Sequence, residues 1–282
     1  MNDTPVADTV FLPCLIGHAF RRVALRCHGA RDNPPLVCVH GLTRNARDFD
    51  AVARHVADRM FVVAVDLPGR GESDWLDDPA EYGVETYVAV LAQLFAWLGR
   101  KVAFLGTSLG GICAMAVAAM PGQPIERLVL NDIGPFVPGE AMRRIAEYVT
   151  ATPPRFADIE ALRLYLRRVH APFGRLSEAE WRRMAEDSAR ALPDGSVALH
   201  YDPAIAAPFA RTPPGELVMW PWWEALDVPV LALRGANSDV LAVATAAKMT
   251  GKATVLTVPE TGHAPALLDA MTQDAIRRFL LP

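Results

Sequence analysis

Residues 102–111 have the sequence VAFLGTSLGG, which is the most informative stretch of the chain. Its first four residues are apolar and typical of a buried strand, and the small residues that follow are typical of a closely packed helix. Between them, residues 106–110 match the pattern G-x-S-x-G. In that pattern a sharp strand-to-helix turn strains the serine backbone and projects its hydroxyl from the end of the sheet. We therefore predict that Ser108 is a nucleophile.

Further short apolar runs occur along the chain, and each ends at a polar residue, a glycine or a proline. They lie at residues 36–39, 61–65, 128–130, 228–233 and 254–258. Successive apolar residues suit strands that are covered on both faces. Helical patterns lie between the runs, so the alternation predicts a mostly parallel sheet flanked by helices. The first residues, roughly 9–27, predict an antiparallel start to this sheet.

The alternation stops between Asp132 and Asp227, where Arg-rich helical patterns replace it. One apolar stripe comprises Ile159, Leu162, Leu166 and Val169. Residues 177–180 fit a capping box, and a second stripe follows it at Trp181, Met184, Ala185, Ser188 and Leu192. Because the insertion follows a strand whose carboxyl end should face the site, we interpret it as a lid rather than a surface addition that only stabilises.

A serine hydroxyl is a weak nucleophile and needs a general base. Among the seven histidines, His263 is the best candidate because it lies in a glycine-containing loop just after the last strand. The imidazole in turn needs a carboxylate that fixes its tautomer. We predict Asp239, after the penultimate strand, because the order Ser, Asp, His accompanies this kind of serine turn. Asp132, which also ends a strand, remains the alternative.

The developing negative charge on a substrate oxygen needs N–H donors. We predict the amides of Leu42, in the HGL sequence after an apolar strand, and of Leu109, directly after the nucleophile. His40 is predicted to be structural. No group of histidines and carboxylates has metal-ligand spacing, so we expect neither a metal nor a cofactor.

Composition excludes several other classes of protein. The 282 residues are 51% hydrophobic, which excludes a wholly disordered chain. The net charge of -4 gives no polybasic footprint, so we expect neither a nucleic-acid nor a membrane partner. The polar first residues lack a secretory signal, and Cys38 and Cys113 fit buried free thiols, so we expect a cytoplasmic protein.

These motifs together resemble those of the α/β-hydrolase superfamily. The resemblance rests on HGL at 40–42, DLPGRGESD at 66–74, GTSLGG at 106–111, LRG at 233–235 through Asp239, and GH at 262–263. It implies an eight-stranded sheet with a helical cap inserted after the sixth strand. The core is then 1–134 and 227–282, the cap is 135–226, and the implied triad is Ser108, His263 and Asp239. The acid at position 132 departs from that pattern.

The resemblance is closest to small bacterial esterases, lactonases and carbon–carbon hydrolases. We expect hydrolysis of a carboxylic ester or lactone of a small, largely apolar substrate by a monomer or homodimer. Alternatives are a carbon–carbon hydrolase of ring-cleavage products, a cofactor-free perhydrolase or haloperoxidase, and a triad-retaining small-molecule receptor. Aromatic residues near the cap–core junction are expected to line the pocket, namely Trp75, Phe136, Trp220 and Trp223. Four arginines, at 143, 144, 167 and 168, either steer a substrate carboxylate or form a solvated helix face, and we favour the second interpretation.

Overall fold

The apolar runs of the chain form a central sheet, as the sequence predicts. The computed structural model describes residues 7–211 and 215–281. Its strands are β1 Asp8–Ile16, β2 Ala19–His28, β3 Pro35–Val39, β4 Phe61–Val65, β5 Val102–Thr107, β6 Ile125–Asn131, β7 Phe136–Val137, β8 Ala189–Ala191, β9 Val197–Leu199, β10 Leu217–Val218, β11 Val230–Gly235 and β12 Ala253–Val258. Eight of them form the sheet in the order β1-β2-β4-β3-β5-β6-β11-β12. β2 is antiparallel to β1 and β4, and the remaining pairs are parallel.

Helices cover both faces of this sheet. They are α1 Asp50–Val56, α2 Val84–Leu98, α3 Leu109–Ala118, α4 Gly139–Thr150, α5 Ile159–Val169, α6 Glu178–Ser188, α7 Ala207–Arg211, α8 Trp220–Ala225, α9 Val243–Met249 and α10 Ala270–Leu280. On β3, Val37 and Val39 pack in the same hydrophobic cluster as α2 and α3. Leu36 and Cys38 pack on the other face with α1 and α10. Successive residues of a strand point to opposite faces, so a strand covered on both sides needs an unbroken apolar run.

The insertion between β6 and β11 contains α4 to α8, and its two ends are joined by a short antiparallel pair. β7 pairs with β10, with Val137 opposite Leu217. The first predicted stripe forms α5, and the capping box of Ser177 and Glu180 begins α6. The second stripe extends too far in the prediction, because α6 ends at Ser188 and the chain continues into the β8–β9 hairpin.

The apolar stretch around Ser108 divides into β5 and α3. Across residues 7–211 and 215–281, no helix is both long enough and apolar enough to cross a membrane. Cys38 and Cys113 are buried free thiols, as predicted, and so are Cys14 and Cys27.

Candidate active site

The turn between β5 and α3 holds Ser108 with φ 50° and ψ −111°, a conformation that L-residues seldom adopt. Two glycines make this turn possible. A Cβ on Gly106 would lie 2.4 Å from the backbone nitrogen of Gly111, and one on Gly110 would lie 2.0 Å from the carbonyl oxygen of Val39. These distances are too short for any side chain, so the G-x-S-x-G spacing is a packing requirement of β3, β5 and α3.

His263 lies between Ser108 and a carboxylate. Its Nε2 is 2.8 Å from the Ser108 Oγ, and its Nδ1 is 2.8 Å from Oδ2 of Asp132. A carboxylate only accepts hydrogen bonds, so Nδ1 carries the hydrogen and Nε2 is the acceptor that faces the serine hydroxyl. The arrangement therefore allows the imidazole to take the proton of Ser108.

Asp132 is fully buried at the end of β6 and is held by hydrogen bonds. Its backbone N–H donates to the carbonyl oxygen of Leu233 at 2.8 Å. Oδ1 accepts from the Gly235 N–H at 2.7 Å, and Oδ2 accepts from the Ser238 hydroxyl at 2.5 Å in addition to His263. A buried carboxylate is stable only when its lone pairs accept such bonds. Asp132 is thus fixed in orientation before any substrate binds.

The prediction that Asp239 is the partner of His263 is wrong. Asp239 forms a bidentate ion pair with Arg144 of α4 at 2.7 and 2.9 Å, and about half of each side chain is exposed. The turn that follows β11 directs Ser238 towards Asp132 and carries Asp239 outwards to the insertion. The alternative, Asp132, is the partner of His263; its place directly after β6 made it a candidate, but Asp239 follows β11 in a similar way.

The loop after β3 lies against Ser108, since a Cβ on Gly41 would be 3.8 Å from that of Ser108. His40 accepts the Leu67 N–H at Nε2, 3.0 Å away, so its Nδ1 donates to the Gly41 carbonyl oxygen at 2.7 Å. Burial lowers the pKa of His40 to about 3, so the ring stays neutral and keeps this tautomer. His40 therefore holds the backbone of the loop, in agreement with its predicted structural role.

Both predicted N–H donors belong to peptide groups whose carbonyl oxygens are already bound. The Gly41 carbonyl, which shares its peptide plane with the Leu42 N–H, accepts from His40 and from the Arg44 N–H. The Ser108 carbonyl, which shares its plane with the Leu109 N–H, accepts from Ile112 at 3.0 Å. In a trans peptide the N–H points opposite to the C=O, so these bonds fix the direction of both donors.

A cavity of about 630 Å³ opens onto Ser108 and His263 between the sheet and the insertion. Its lining combines the loop after β3 with α4, α5 and the segment after α5. The apolar side chains there include Ile145, Val169, Pro172 and Phe173. A concave, mainly apolar site with a few polar groups is the usual form of a small-molecule site.

The four aromatic residues predicted for the pocket do not line this cavity, so that prediction is wrong. Trp75 packs under the Arg190 guanidinium, and Phe136 pairs in the β7–β10 ladder. Trp223 is buried on α8, and Trp220 lies beside Lys248. Trp220 and Trp223 instead pack in the main hydrophobic cluster of the protein.

Basic side chains line the cavity instead. They are Arg44, Arg144, Arg168 and His170. Arg168 lies over the Tyr165 ring at 5.7 Å, and no carboxylate of the described residues is within ion-pair distance of it. Burial holds the pKa of His170 well below its ordinary value, and the charges of Arg44 and His263 act in the same direction. Arg144 and Arg168 are exposed on their helices, as the favoured interpretation predicts, and both also line the cavity, whereas Arg167 pairs with Glu178 outside it.

A second, more open cleft of about 750 Å³ lies between α1 and α6. Oppositely charged side chains line it, and several are paired with each other, such as Arg44 with Asp48 and Arg183 with Asp187. It contains neither Ser108 nor His263, so the smaller cavity is the candidate active site. In the described part of the chain, no cluster of His, Cys, Asp or Glu is arranged to hold a metal ion.

A family model described as the alpha/beta hydrolase family matches residues 36–276. The chain belongs to the alpha/beta hydrolase family. This alpha/beta hydrolase is 39% identical over 272 residues to the 3-hydroxybutyrate-oligomer hydrolase of Cupriavidus necator, which covers 92% of each chain. It is 30% identical over 232 residues to the 2-(acetamidomethylene)succinate hydrolase of Mesorhizobium japonicum, covering 80% of this chain and 79% of that one.

Solved structures show the same architecture for this hydrolase. An alpha/beta hydrolase from Novosphingobium aromaticivorans superposes with a TM-score of 0.88 at 34% identity, covering 98% of both chains. The family and these relatives identify the protein as a hydrolytic enzyme with the α/β-hydrolase fold.

Proposed function

We propose that the protein is a serine hydrolase that cleaves a small carboxylic ester whose substrate also carries a free carboxylate. Short 3-hydroxyalkanoate oligomers are the substrate class that we favour. The main support is the continuous hydrogen-bonded series Ser108 Oγ, His263 Nε2, His263 Nδ1 and Asp132 Oδ2, in which both bonds are 2.8 Å. Such a series turns a weak hydroxyl into a nucleophile and is the recurrent arrangement of acyl-transfer enzymes.

In the proposed reaction, His263 Nε2 takes the Ser108 proton while Oγ bonds to the ester carbonyl carbon. The N–H groups of Leu42 and Leu109 stabilise the oxyanion, and Asp132 stabilises the imidazolium. His263 then gives the proton to the leaving alcohol as the ester C–O bond breaks, which leaves an acyl-enzyme. Water repeats these steps on the acyl-enzyme, releasing the acid and restoring Ser108.

The basic lining of the cavity supports a substrate that carries a carboxylate. Arg168 has a guanidinium that can form paired hydrogen bonds with a substrate carboxylate, and the His170 ring can form a hydrogen bond with an uncharged substrate oxygen. The apolar side chains of the same lining suit a short aliphatic chain. A 3-hydroxybutyrate oligomer has these three features: esters, a carboxylate end and short aliphatic units. The similarity to a hydrolase named for such oligomers agrees with this proposal.

A second candidate is hydrolysis of a dicarboxylate enamide such as 2-(acetamidomethylene)succinate, for which another relative is named. The Arg168 guanidinium at the cavity agrees with it, because this group could bind one of the two carboxylates. The same serine mechanism applies, with an amide in place of the ester.

We also propose that residues 135–226 act as a cap domain over a core of 1–134 and 227–282. The support is that α4 and α5 contribute to the cavity that opens onto Ser108. We further propose a cytoplasmic location, which the four buried free thiols support, since disulfides are rare in reducing compartments.

The test combines labelling with a substrate panel. A fluorophosphonate should label the wild-type protein and not Ser108→Ala, with circular dichroism showing that both are folded. The panel contains 3-hydroxybutyrate dimers and trimers, p-nitrophenyl acetate, 2-(acetamidomethylene)succinate and a ring-cleavage diketone acid. We expect the highest kcat/KM on the oligomers and none with Ser108→Ala. Full turnover by Ser108→Ala would contradict the mechanism. A higher kcat/KM on another compound of the panel would contradict the proposed substrate class.

A further inference from the structure

The insertion is hydrogen-bonded to the loop that carries the Leu42 N–H. Arg44 is buried, and its Nη1 donates to the hydroxyl of Ser188, the last residue of α6, at 2.8 Å. Its Nε and Nη2 donate to the carboxylate of Asp48 at 3.0 and 2.5 Å. Next to it, Asn45 Nδ2 donates to the Asp187 carbonyl oxygen at 2.7 Å. The end of α6 therefore holds two consecutive residues of the loop.

A second connection between the insertion and the same loop runs through Arg70. Arg70 is fully buried, and its Nε donates to the Leu42 carbonyl oxygen at 2.9 Å. The residues on either side of Arg70 form backbone hydrogen bonds with the insertion. The Gly71 N–H donates to the His200 carbonyl oxygen at 3.1 Å, and the Gly69 carbonyl oxygen accepts from the Asp202 N–H at 2.7 Å. Residues 187–202 of the insertion therefore contact the loop both directly and through Arg70.

The Arg44 connection acts on the Leu42 donor itself. The Arg44 N–H donates to the Gly41 carbonyl oxygen at 3.2 Å, and this carbonyl is in the same peptide plane as the Leu42 N–H. The position of the Arg44 backbone therefore contributes, together with the His40 ring on the same carbonyl, to the direction of that N–H. Ser188 is not among the residues that line the cavity, and its hydroxyl is bonded to Arg44, so the Ser188 side chain is connected to the site through Arg44.

We propose that Ser188, through Arg44, is a positioning residue for the Leu42 N–H, so that the insertion helps to shape the oxyanion site as well as covering the cavity. An oxyanion donor acts on the transition state more than on the bound substrate. Loss of the Ser188 hydroxyl should therefore lower kcat and leave KM nearly unchanged. This inference rests on the serine-ester mechanism proposed above.

The test compares Ser188→Ala with Ser177→Ala. Both truncate a serine at an end of α6, but Ser177 caps the start of the helix and forms no hydrogen bond with Arg44. Asn45→Ser is the second variant, because a serine keeps the capping oxygen for the Arg47 N–H but is too short to reach Asp187. For each, kcat and KM on the best ester are measured with the Ki of a trifluoromethyl ketone, which forms a tetrahedral oxyanion on the serine.

We expect Ser188→Ala and Asn45→Ser to lower kcat about tenfold or more, to raise the Ki of the ketone by a similar factor, and to change KM less than about twofold. Ser177→Ala should lower the Tm without changing kcat or the Ki. The positioning role is overturned if both test variants keep kcat within twofold, or if Ser177→Ala loses as much. A wild type that hydrolyses no ester and takes no fluorophosphonate label would instead refute the underlying mechanism.

Discussion

Asp132 and His263 are joined by a 2.8 Å hydrogen bond between Oδ2 and Nδ1, in a position where the aspartate is fully buried. This bond requires the hydrogen on Nδ1 and so leaves Nε2 free to accept from Ser108. An amide at position 132 could present its NH₂ group to Nδ1 and favour the opposite tautomer, in which Nε2 carries the hydrogen and cannot accept a proton.

Replacing Asp132 with Asn is therefore expected to lower kcat by a factor on the order of 10³–10⁴ while the protein remains folded. The matched control is Asp239→Asn, because Asp239 pairs with Arg144 at a half-exposed position. Such pairs contribute about 0–1 kcal/mol to folding stability, so the control should remain folded. Because His263 is bonded to Asp132 and not to Asp239, the control should also keep kcat within a few-fold. Steady-state kinetics on the same ester check both variants. A greater loss of kcat in Asp239→Asn than in Asp132→Asn would instead identify Asp239 as the catalytic acid partner of His263.

Arg168→Gln is expected to raise KM for a carboxylate-bearing ester about tenfold or more, because it removes a charged hydrogen bond to the substrate. The same variant should leave KM for an uncharged p-nitrophenyl ester unchanged. Arg167→Gln is the control, since Arg167 is the preceding residue but pairs with Glu178 outside the cavity. Equal effects of Arg168→Gln on the charged and the uncharged ester would exclude carboxylate recognition by Arg168.

The neutral state of His40 predicts how stability depends on pH. Its pKa falls to about 3 in the folded protein from an ordinary value near 6.5, so below pH 6.5 the unfolded chain takes up a proton that the folded protein does not. The contribution of His40 to stability is thus complete above pH 6.5 and is lost as the pH falls towards 3. Between pH 7 and pH 4.5 the loss due to this one group is about 2–3 kcal/mol of unfolding free energy.

His40→Gln retains a donor and an acceptor but does not titrate, so its urea-unfolding free energy should fall less steeply between pH 7 and pH 4.5 than that of the wild type. His18→Gln, in the exposed turn between β1 and β2, is the control and should follow the wild-type slope. Identical slopes for His40→Gln and the wild type would show that His40 is not neutral in the folded protein.

Local patterns identified the strands, the turn at Ser108 and the loop of His263, because each depends on residues that are close together in the chain. A continuous apolar run can form a strand covered on both faces, and glycines at positions 106 and 110 are required wherever that turn packs against β3. The carboxyl ends of parallel strands meet at one edge of the sheet, so the sequence also placed Ser108 and His263 near each other.

The choice of the acid and the lining of the cavity depend on contacts between distant segments. Asp132 and Asp239 both follow strands that are neighbours in the sheet, β6 and β11, so proximity to that edge does not distinguish them. The turn after β11 directs Ser238 towards Asp132, and Asp239 pairs with Arg144 of the insertion instead of with His263. The insertion likewise uses Trp220 and Trp223 for packing and brings Arg168 to the cavity, because its orientation on the sheet is set by tertiary contacts rather than by helical periodicity.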